Sequence, residues 1–316
     1  MRPLRHCWFL TGPTASGKSA VGHLLAQRLG GEIIAMDSMS LYRGMDIGTA
    51  KPDEAARREV PYHLVDVLEP SEEYSLAQYV SAAWAAANDI LGRGRTPIFV
   101  GGTPLYLKAL LRGIFQGPPA DWELRERLRR EAAEQGPAYL HERLLAVDPA
   151  AAQKLKRGDA RRLIRALEVC EKTGTPISEL QRQFDQPVPR EECRVFVLDW
   201  PREALYRRID ERVEAMFAAG LVNEVRRLLA RGPLSRTAAQ AVGYREVIEH
   251  LEGREDQHAT IELVKRHSRQ LAKRQLTWFR SLSECRWISM KADTPSEQVV
   301  QRIIEEGALV GSRAEF

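Results

Sequence analysis

The chain has 316 residues, 44% hydrophobic and 28% charged, and its 47 Lys plus Arg against 43 Asp plus Glu leave a formal net charge of +4. This balance excludes a disordered tail, a collagen-like repeat and a histone-like polycation. At roughly 150 residues per domain the length predicts two domains, with a core large enough to stand without staples.

The elements follow in chain order. Short apolar runs at 8–11, 32–36, 63–67 and 97–100 alternate with helical spacing at 19–29 and 76–91, the pattern of βα units. The strands are too uniformly apolar for a sheet with one wet face, which predicts a buried parallel sheet. After Gly117, Pro118 and Pro119 only helical spacing is found, at 122–135, 138–145, 151–156, 160–173 and 176–183. A strand at 194–199, helices at 201–219 and 222–230, a basic helix over 264–280 and a weak strand at 286–290 follow. The expected fold is α/β: a P-loop NTPase-like parallel sheet flanked by helices (1–119 and 189–316), interrupted by an all-helical insertion domain (120–188).

Cys7, Cys170, Cys193 and Cys285 lie too far apart for a zinc site and read as reduced, mostly buried thiols. No run of about 18 apolar residues occurs, and the apolar run at 7–10 is too short for a signal-peptide core. A soluble, cytoplasmic protein with no membrane contact and no obligate protein partner is expected.

Gly12, Pro13, Thr14, Ala15, Ser16, Gly17, Lys18 and Ser19 fit G-x-x-x-x-G-K-[ST] between a predicted strand and a predicted helix. Backbone N–H groups of such a loop converge on phosphate oxygens, the helix N-terminus adds its dipole, Lys18 brings a mobile charge and Ser19 a hydroxyl for Mg²⁺. The loop alone indicates a diphosphate-bearing ligand; a kinase or other nucleotide enzyme is the default reading. The second strand runs into Asp37, Ser38, Met39 and Ser40, so Asp37 is expected at the carboxyl edge of the sheet, near the loop. There it suits a general base or a water-mediated Mg²⁺ ligand, or equally a turn cap.

Two windows concentrate charge. Lys154, Lys156, Arg157, Arg161, Arg162 and Arg165 against Asp159 give +5 over 151–165; Lys265, Arg266, Arg269, Lys273, Arg274 and Arg280 give +6 over 264–280. On the second helix Arg266, Arg269, Lys273 and Arg280 share one face and Val264, Leu271 and Trp278 the other. Either window alone reads as a solvated surface or as an RNA contact.

The strings GPTASGKS, DSMSLYRGMDIGTAKP, YHLVDVLEP, PIFVGGTPLYLKALLRG, DARRLIRALEV, AVGYREV and KRQLTWFR together resemble, in order, the tRNA dimethylallyltransferase family. The resemblance implies transfer of a dimethylallyl group from dimethylallyl diphosphate to N6 of the adenosine adjacent to the anticodon of a tRNA, with diphosphate released and Mg²⁺ as cofactor. It implies Asp37 as the base, with Thr14, Lys18 and Arg212 at the diphosphate, although Arg212 also fits a solvated helix face. It places tRNA contacts at Asp37, Ser38, Met39 and Ser40; at Thr103 and Arg125; at Arg161, Arg162, Leu163, Ile164 and Arg165; at Gln240, Ala241, Val242, Gly243, Tyr244 and Arg245; and at Lys273, Arg274, Gln275, Leu276, Thr277, Trp278, Phe279 and Arg280. Two departures stand out: Ser40 occupies a position where many members carry Gln, and the zinc-finger extension of eukaryotic members is missing. The competing readings are an adenylate (AMP or ATP) isopentenyltransferase, a P-loop small-molecule kinase and a nucleotide-gated RNA-binding module.

Overall fold

The computed structural model describes residues 3–115 and 117–310. It divides into two compact units, Met1–Leu111 with Pro187–Phe316, and Arg112–Gln186.

In the first unit the strands are β1 (Trp8–Thr11), β2 (Gly31–Ala35), β3 (Tyr62–His63), β4 (Thr96–Gly101), β5 (Arg194–Asp199) and β6 (Cys285–Ser289). They form one sheet in the order β3-β2-β4-β1-β5-β6, every pairing parallel. Parallel neighbours need crossovers, and helices supply them: α1 (Lys18–Leu29), α2 (Glu54–Glu59), α3 (Leu76–Gly92) and α4 (Pro104–Arg112). Phe9 and Phe99, side by side on β1 and β4, stack with centroids 4.7 Å apart at the centre of the sheet. Leu10, Leu25, Ile33, Ile98, Phe196 and Ile303 belong to the core, each stabilising by about 1.5–3 kcal/mol through apolar burial. All four cysteines are free thiols, and burial pushes Cys7 and Cys193 up to about 12, so both are chemically quiet.

The expected strand at 63–67 is cut to Tyr62–His63. Leu64 and Asp66 take φ of +59° and +57°, which no strand accommodates. The carboxylate of Asp66 receives Lys51 Nζ at 2.6 Å and Arg57 Nη1 at 2.7 Å. Burial would raise Asp66, but those two bonds hold it below its ordinary value.

The second unit is helical among its described residues: α5 (Trp122–Gln135), α6 (Tyr139–Val147), α7 (Pro149–Lys154), α8 (Ala160–Thr173) and α9 (Ile177–Leu180). Asp121, Asp148 and Asp159 cap α5, α7 and α8 by accepting from Leu124 N, Ala151 N and Arg162 N. Leu128, Leu144, Leu163, Ile164 and Leu167 form its own core. Its boundaries lie at Arg112 and Gln186, not at 120 and 188, because Phe115 packs on this core and Arg112 donates to the Phe184 carbonyl at 2.7 Å.

Back in the first unit come α10 (Arg202–Ala218), α11 (Leu221–Ala230), α12 (Arg236–Ala239), α13 (Tyr244–Leu251), α14 (Gln257–Arg280) and α15 (Ser296–Ala308). α10 and α14 pack along each other, and α15 covers α1. The loops after β1, β2 and β4 all leave the carboxyl edge of the sheet, where an open α/β sheet holds its ligands.

Candidate functional site

The phosphate loop connects β1 to α1. Gly17, at φ +85°, caps the helix in a conformation that glycine adopts without strain. Ala15 sits at φ +62°, unusual for a residue with a Cβ, and is held there from outside the loop. Arg208 Nε donates to the Ala15 carbonyl at 2.9 Å, and Trp200 Nε1 to the Ser16 carbonyl at 2.9 Å. The Arg208 guanidinium lies 4.4 Å over the Trp200 ring, so the two props brace each other. Lys18 Nζ rests on the Pro13 carbonyl at 3.2 Å. Burial, aided by Arg212 and opposed by Asp37, brings Lys18 down to about 8.

Gln275 of α14 ties this loop to its neighbour. Its Oε1 accepts from Thr14 N at 2.9 Å while its Nε2 donates to the Gly102 carbonyl at 2.6 Å. The Thr14 amide is therefore already bonded, as is Ser16 N to the Pro13 carbonyl at 3.2 Å, which leaves the amides of Gly17, Lys18 and Ser19 to face an anion.

Asp37 follows β2. Its Oδ1 accepts from Met39 N at 3.0 Å, a turn that fixes the carboxylate, and Ser40 Oγ donates back to the Asp37 carbonyl at 2.9 Å. Ser40 is buried in that turn, so its hydroxyl is spent on backbone geometry. Behind it Tyr79 donates to the Ala35 carbonyl at 3.0 Å and stacks on Tyr106 at 3.7 Å. Gly101 has no room for a side chain, since a Cβ there would lie 2.0 Å from the Met36 carbonyl oxygen. That approach lets Thr103 Oγ1 accept from Ser38 N at 3.1 Å.

The third wall is the segment Gly48, Thr49 and Ala50. It is held by Glu224 of α11, a residue with no local sequence signal for such a role. The Glu224 carboxylate, 3% exposed, accepts from Asp46 N (3.1 Å), Ile47 N (2.8 Å), Gly48 N (3.3 Å) and the Tyr244 hydroxyl (2.6 Å). Arg212 on α10 reaches the Thr49 carbonyl at 3.5 Å, and burial lowers its guanidinium while Asp37 opposes that shift.

These parts meet in one cavity. Thr14, Lys18, Ser19, Asp37, Thr49 and Arg212 supply its polar surface; Ile209, Val213, Met216, Val242, Val264 and Leu271 supply an apolar one. The cavity thus offers cations and amides to an anion and a hydrocarbon lining to whatever the anion carries.

The remaining sequence-derived positions divide by burial. Leu163, Ile164, Ala241, Gly243, Tyr244, Gln275 and Phe279 are buried and act through the backbone or as packing. Val242, Leu276 and Trp278 are half-buried; Arg161, Arg162, Gln240, Lys273, Arg274, Thr277 and Arg280 are exposed. Arg125 and Arg165 both bind Glu168, Arg125 with two bonds of 2.9 Å, and Arg245 pairs with Glu246 at 2.5 Å. On α14, Lys265 pairs with Glu214 and Glu262, and Arg269 with Asp210. Among the described residues Arg266, Lys273 and Arg274 have no ion-pair partner on that helix. The packed face of α14 is Val264, Ala272, Gln275 and Phe279, with Leu271 turned to the cavity. Sequence reasoning missed Arg208, Trp200 and Glu224 altogether, and took Gln275 for an RNA contact.

The IPP transferase family model matches residues 40–282. The chain belongs to the IPP transferase family. It is similar to the tRNA dimethylallyltransferase of Pelotomaculum thermopropionicum, 48% identical over 95% of this chain and 96% of that one. The tRNA dimethylallyltransferase of Rhodopirellula baltica is likewise 48% identical, covering 94% and 92%. Among solved structures, the full-length tRNA isopentenylpyrophosphate transferase from Bacillus halodurans superposes with a TM-score of 0.68 at 36% identity, covering 96% of this chain and 97% of that one. A eukaryotic dimethylallyltransferase acting on tRNA gives 0.76 at 27% identity, covering 94% and 77%. The family match begins beyond the phosphate loop and Asp37 and includes the Gly48–Ala50 wall, Arg212 and Gln275, together with Glu224, which holds that wall.

Proposed function

We propose that this protein transfers a dimethylallyl group from dimethylallyl diphosphate to N6 of the adenosine adjacent to the anticodon of a tRNA, releasing diphosphate. The observation that carries this reading is the two-sided cavity: a cationic, amide-lined end beside a wall of Ile209, Val213, Met216, Val242, Val264 and Leu271. A hydrocarbon on a diphosphate satisfies both ends, whereas a nucleotide would set its polar sugar against the apolar wall. The names of the relatives point to the same chemistry.

The bond that breaks is the alkyl C–O bond of the donor and the bond that forms is C–N6. The diphosphate leaves with its oxygen's electron pair, compensated by Lys18, Arg212 and the amides of Gly17, Lys18 and Ser19. Asp37, whose Oδ1 is pinned by Met39 N, takes the proton that N6 loses. The target base must leave its stack, because N6 is closed off within a stacked loop. In this reading the exposed cations Arg161 and Arg162 of the helical unit and Arg266, Lys273 and Arg274 of α14 hold the tRNA, in the cytoplasm, without a further protein partner.

Magnesium fits as a ligand-dependent guest. Among the described residues no three carboxylate, imidazole or thiol groups come together. The exposed Ser19 hydroxyl at the rim of the loop makes no side-chain hydrogen bond among the described residues, which suits a hard cation that takes its other oxygens from diphosphate and water. Ser19 would hold the ion, with Asp37 through water, and the ion's charge would ease departure of the diphosphate.

Incubation with labelled dimethylallyl diphosphate and unmodified tRNA, AMP or buffer tests the proposal. Label in tRNA is expected; label in AMP alone, or in neither acceptor, overturns it.

A further inference from the structure

The helical unit carries an exposed aromatic ring that its fold does not use. Trp122, in the first turn of α5, is 60% exposed, whereas burying a ring of that size would stabilise by a few kcal/mol. Its mounting is rigid. The Arg125 carbon Cζ lies 5.1 Å from the ring centroid, and that guanidinium is fixed by a two-bond pair with Glu168, which is 0% exposed. Glu168 also accepts from Asp121 N at 2.7 Å, so the backbone just before Trp122 is tied to the same carboxylate. A cation thus occupies the ring's neighbourhood on one side while the rest of the ring faces water.

The surroundings select the ligand. Along α8, Arg161, Arg165, Glu168 and Lys172 follow at four-, three- and four-residue steps, which places them on one face. Arg161 is exposed and lies seven residues before Glu168, roughly 10 Å along the helix. The guanidinium groups of Arg161, Arg165 and Arg125 therefore lead to the tryptophan, the last two paired with Glu168 and Arg161 exposed. Backbone phosphates suit the row and a purine or pyrimidine face suits the ring, since every base presents a π-surface and stacking needs no edge pattern.

We propose that Trp122 and Arg125 form a base-stacking platform for an unpaired nucleotide of the RNA, with the backbone of that nucleotide or its neighbour on Arg161. The proposal rests on the tRNA-modifying reading above and adds a contact that is blind to sequence.

The test uses the full chain and unmodified substrate tRNA. Trp122→Ala should weaken binding about tenfold, within the range for loss of one stacked base, and leave the slope of affinity against salt unchanged because every cation that meets a phosphate is still in place. Trp122→Phe, which keeps a flat ring, should bind within about threefold of wild type. Arg161→Glu should instead lower the salt slope by about one. Tryptophan fluorescence gives an independent reading: RNA should quench wild type more than it quenches Trp122→Phe. Binding of Trp122→Ala within twofold of wild type, or equal quenching of wild type and Trp122→Phe, overturns the platform and leaves the ring to a protein contact. Should Trp122→Ala fail to fold, the fluorescence comparison decides. A wild type that binds no tRNA overturns the functional reading as well; a wild type that binds and transfers beside an unaffected Trp122→Ala overturns the platform alone.

Discussion

The cavity and the basic face of α14 use charge in opposite ways. In the cavity three ionisable groups, Lys18, Arg212 and Asp37, lie close enough to interact, and each is aimed by bonds to the backbone. On α14 six cations fall within 264–280, yet Lys265 and Arg269 are answered by Glu214, Glu262 and Asp210. The site's chemistry comes from a few charges placed against one another in a cavity; the surface works by number, and neighbouring helices subtract from that number before any ligand arrives.

The sharpest way to break the contrast is to remove one placed charge. Asp37→Ala should lower the rate of transfer at least about 100-fold while tRNA affinity stays within a few-fold, measured by single-turnover labelling and filter binding. Unchanged turnover would remove Asp37 from the chemistry. Glu224→Gln keeps the size of the side chain but replaces an acceptor by a donor facing backbone N–H groups. It should lower kcat/KM for the donor about tenfold and lower the melting temperature, with tRNA affinity preserved. An unaffected donor KM and kcat would show that the Gly48–Ala50 wall needs no such clamp.

The pH dependence separates the regions further. Below about 8, Lys18 is protonated in folded and unfolded chains alike and contributes no slope. Between about 8 and the ordinary lysine value of 10.5 the unfolded chain binds the extra proton, so this group makes stability rise with pH. Donor binding requires the ammonium and should weaken over the same interval, towards tenfold per pH unit, with proton uptake visible by calorimetry in two buffers. The smallest effects belong to the surface. Reversing Arg266 and Lys273 should weaken tRNA binding and lower the salt slope by about one for each phosphate left without its cation, whereas Lys265→Ala should change it by less, because that lysine is already paired.

What the sequence made legible follows the same divide. The phosphate loop, Asp37 and the parallel sheet announce themselves locally, since each needs a fixed string of residue types. The short β3 does not: Leu64 and Asp66 fall in a run that reads as a buried strand, and only Lys51 and Arg57, brought in by the fold, explain the left-handed turn. Glu224 and Gln275 were invisible as supports for the same reason. Their backbone partners lie 173 and more positions away in the chain, so no window contains both ends of those bonds. Arg212, which spacing alone left on a solvated face, lies in the cavity because α10 packs along α14.

The apolar wall of the cavity comes from side chains of α10 and α14 and from Val242, whereas the anion end comes from loop backbone tied by Gln275, and the neighbouring Asp37 segment is closed in against Gly101. For an engineer this is a separation of tail from head. Met216 or Leu271 can be trimmed to admit a longer allylic chain without disturbing a single bond that shapes the phosphate loop, while at Gly101 even a methyl group has nowhere to go. Adaptation to new donors is therefore open along the helices and shut at the edge of the sheet.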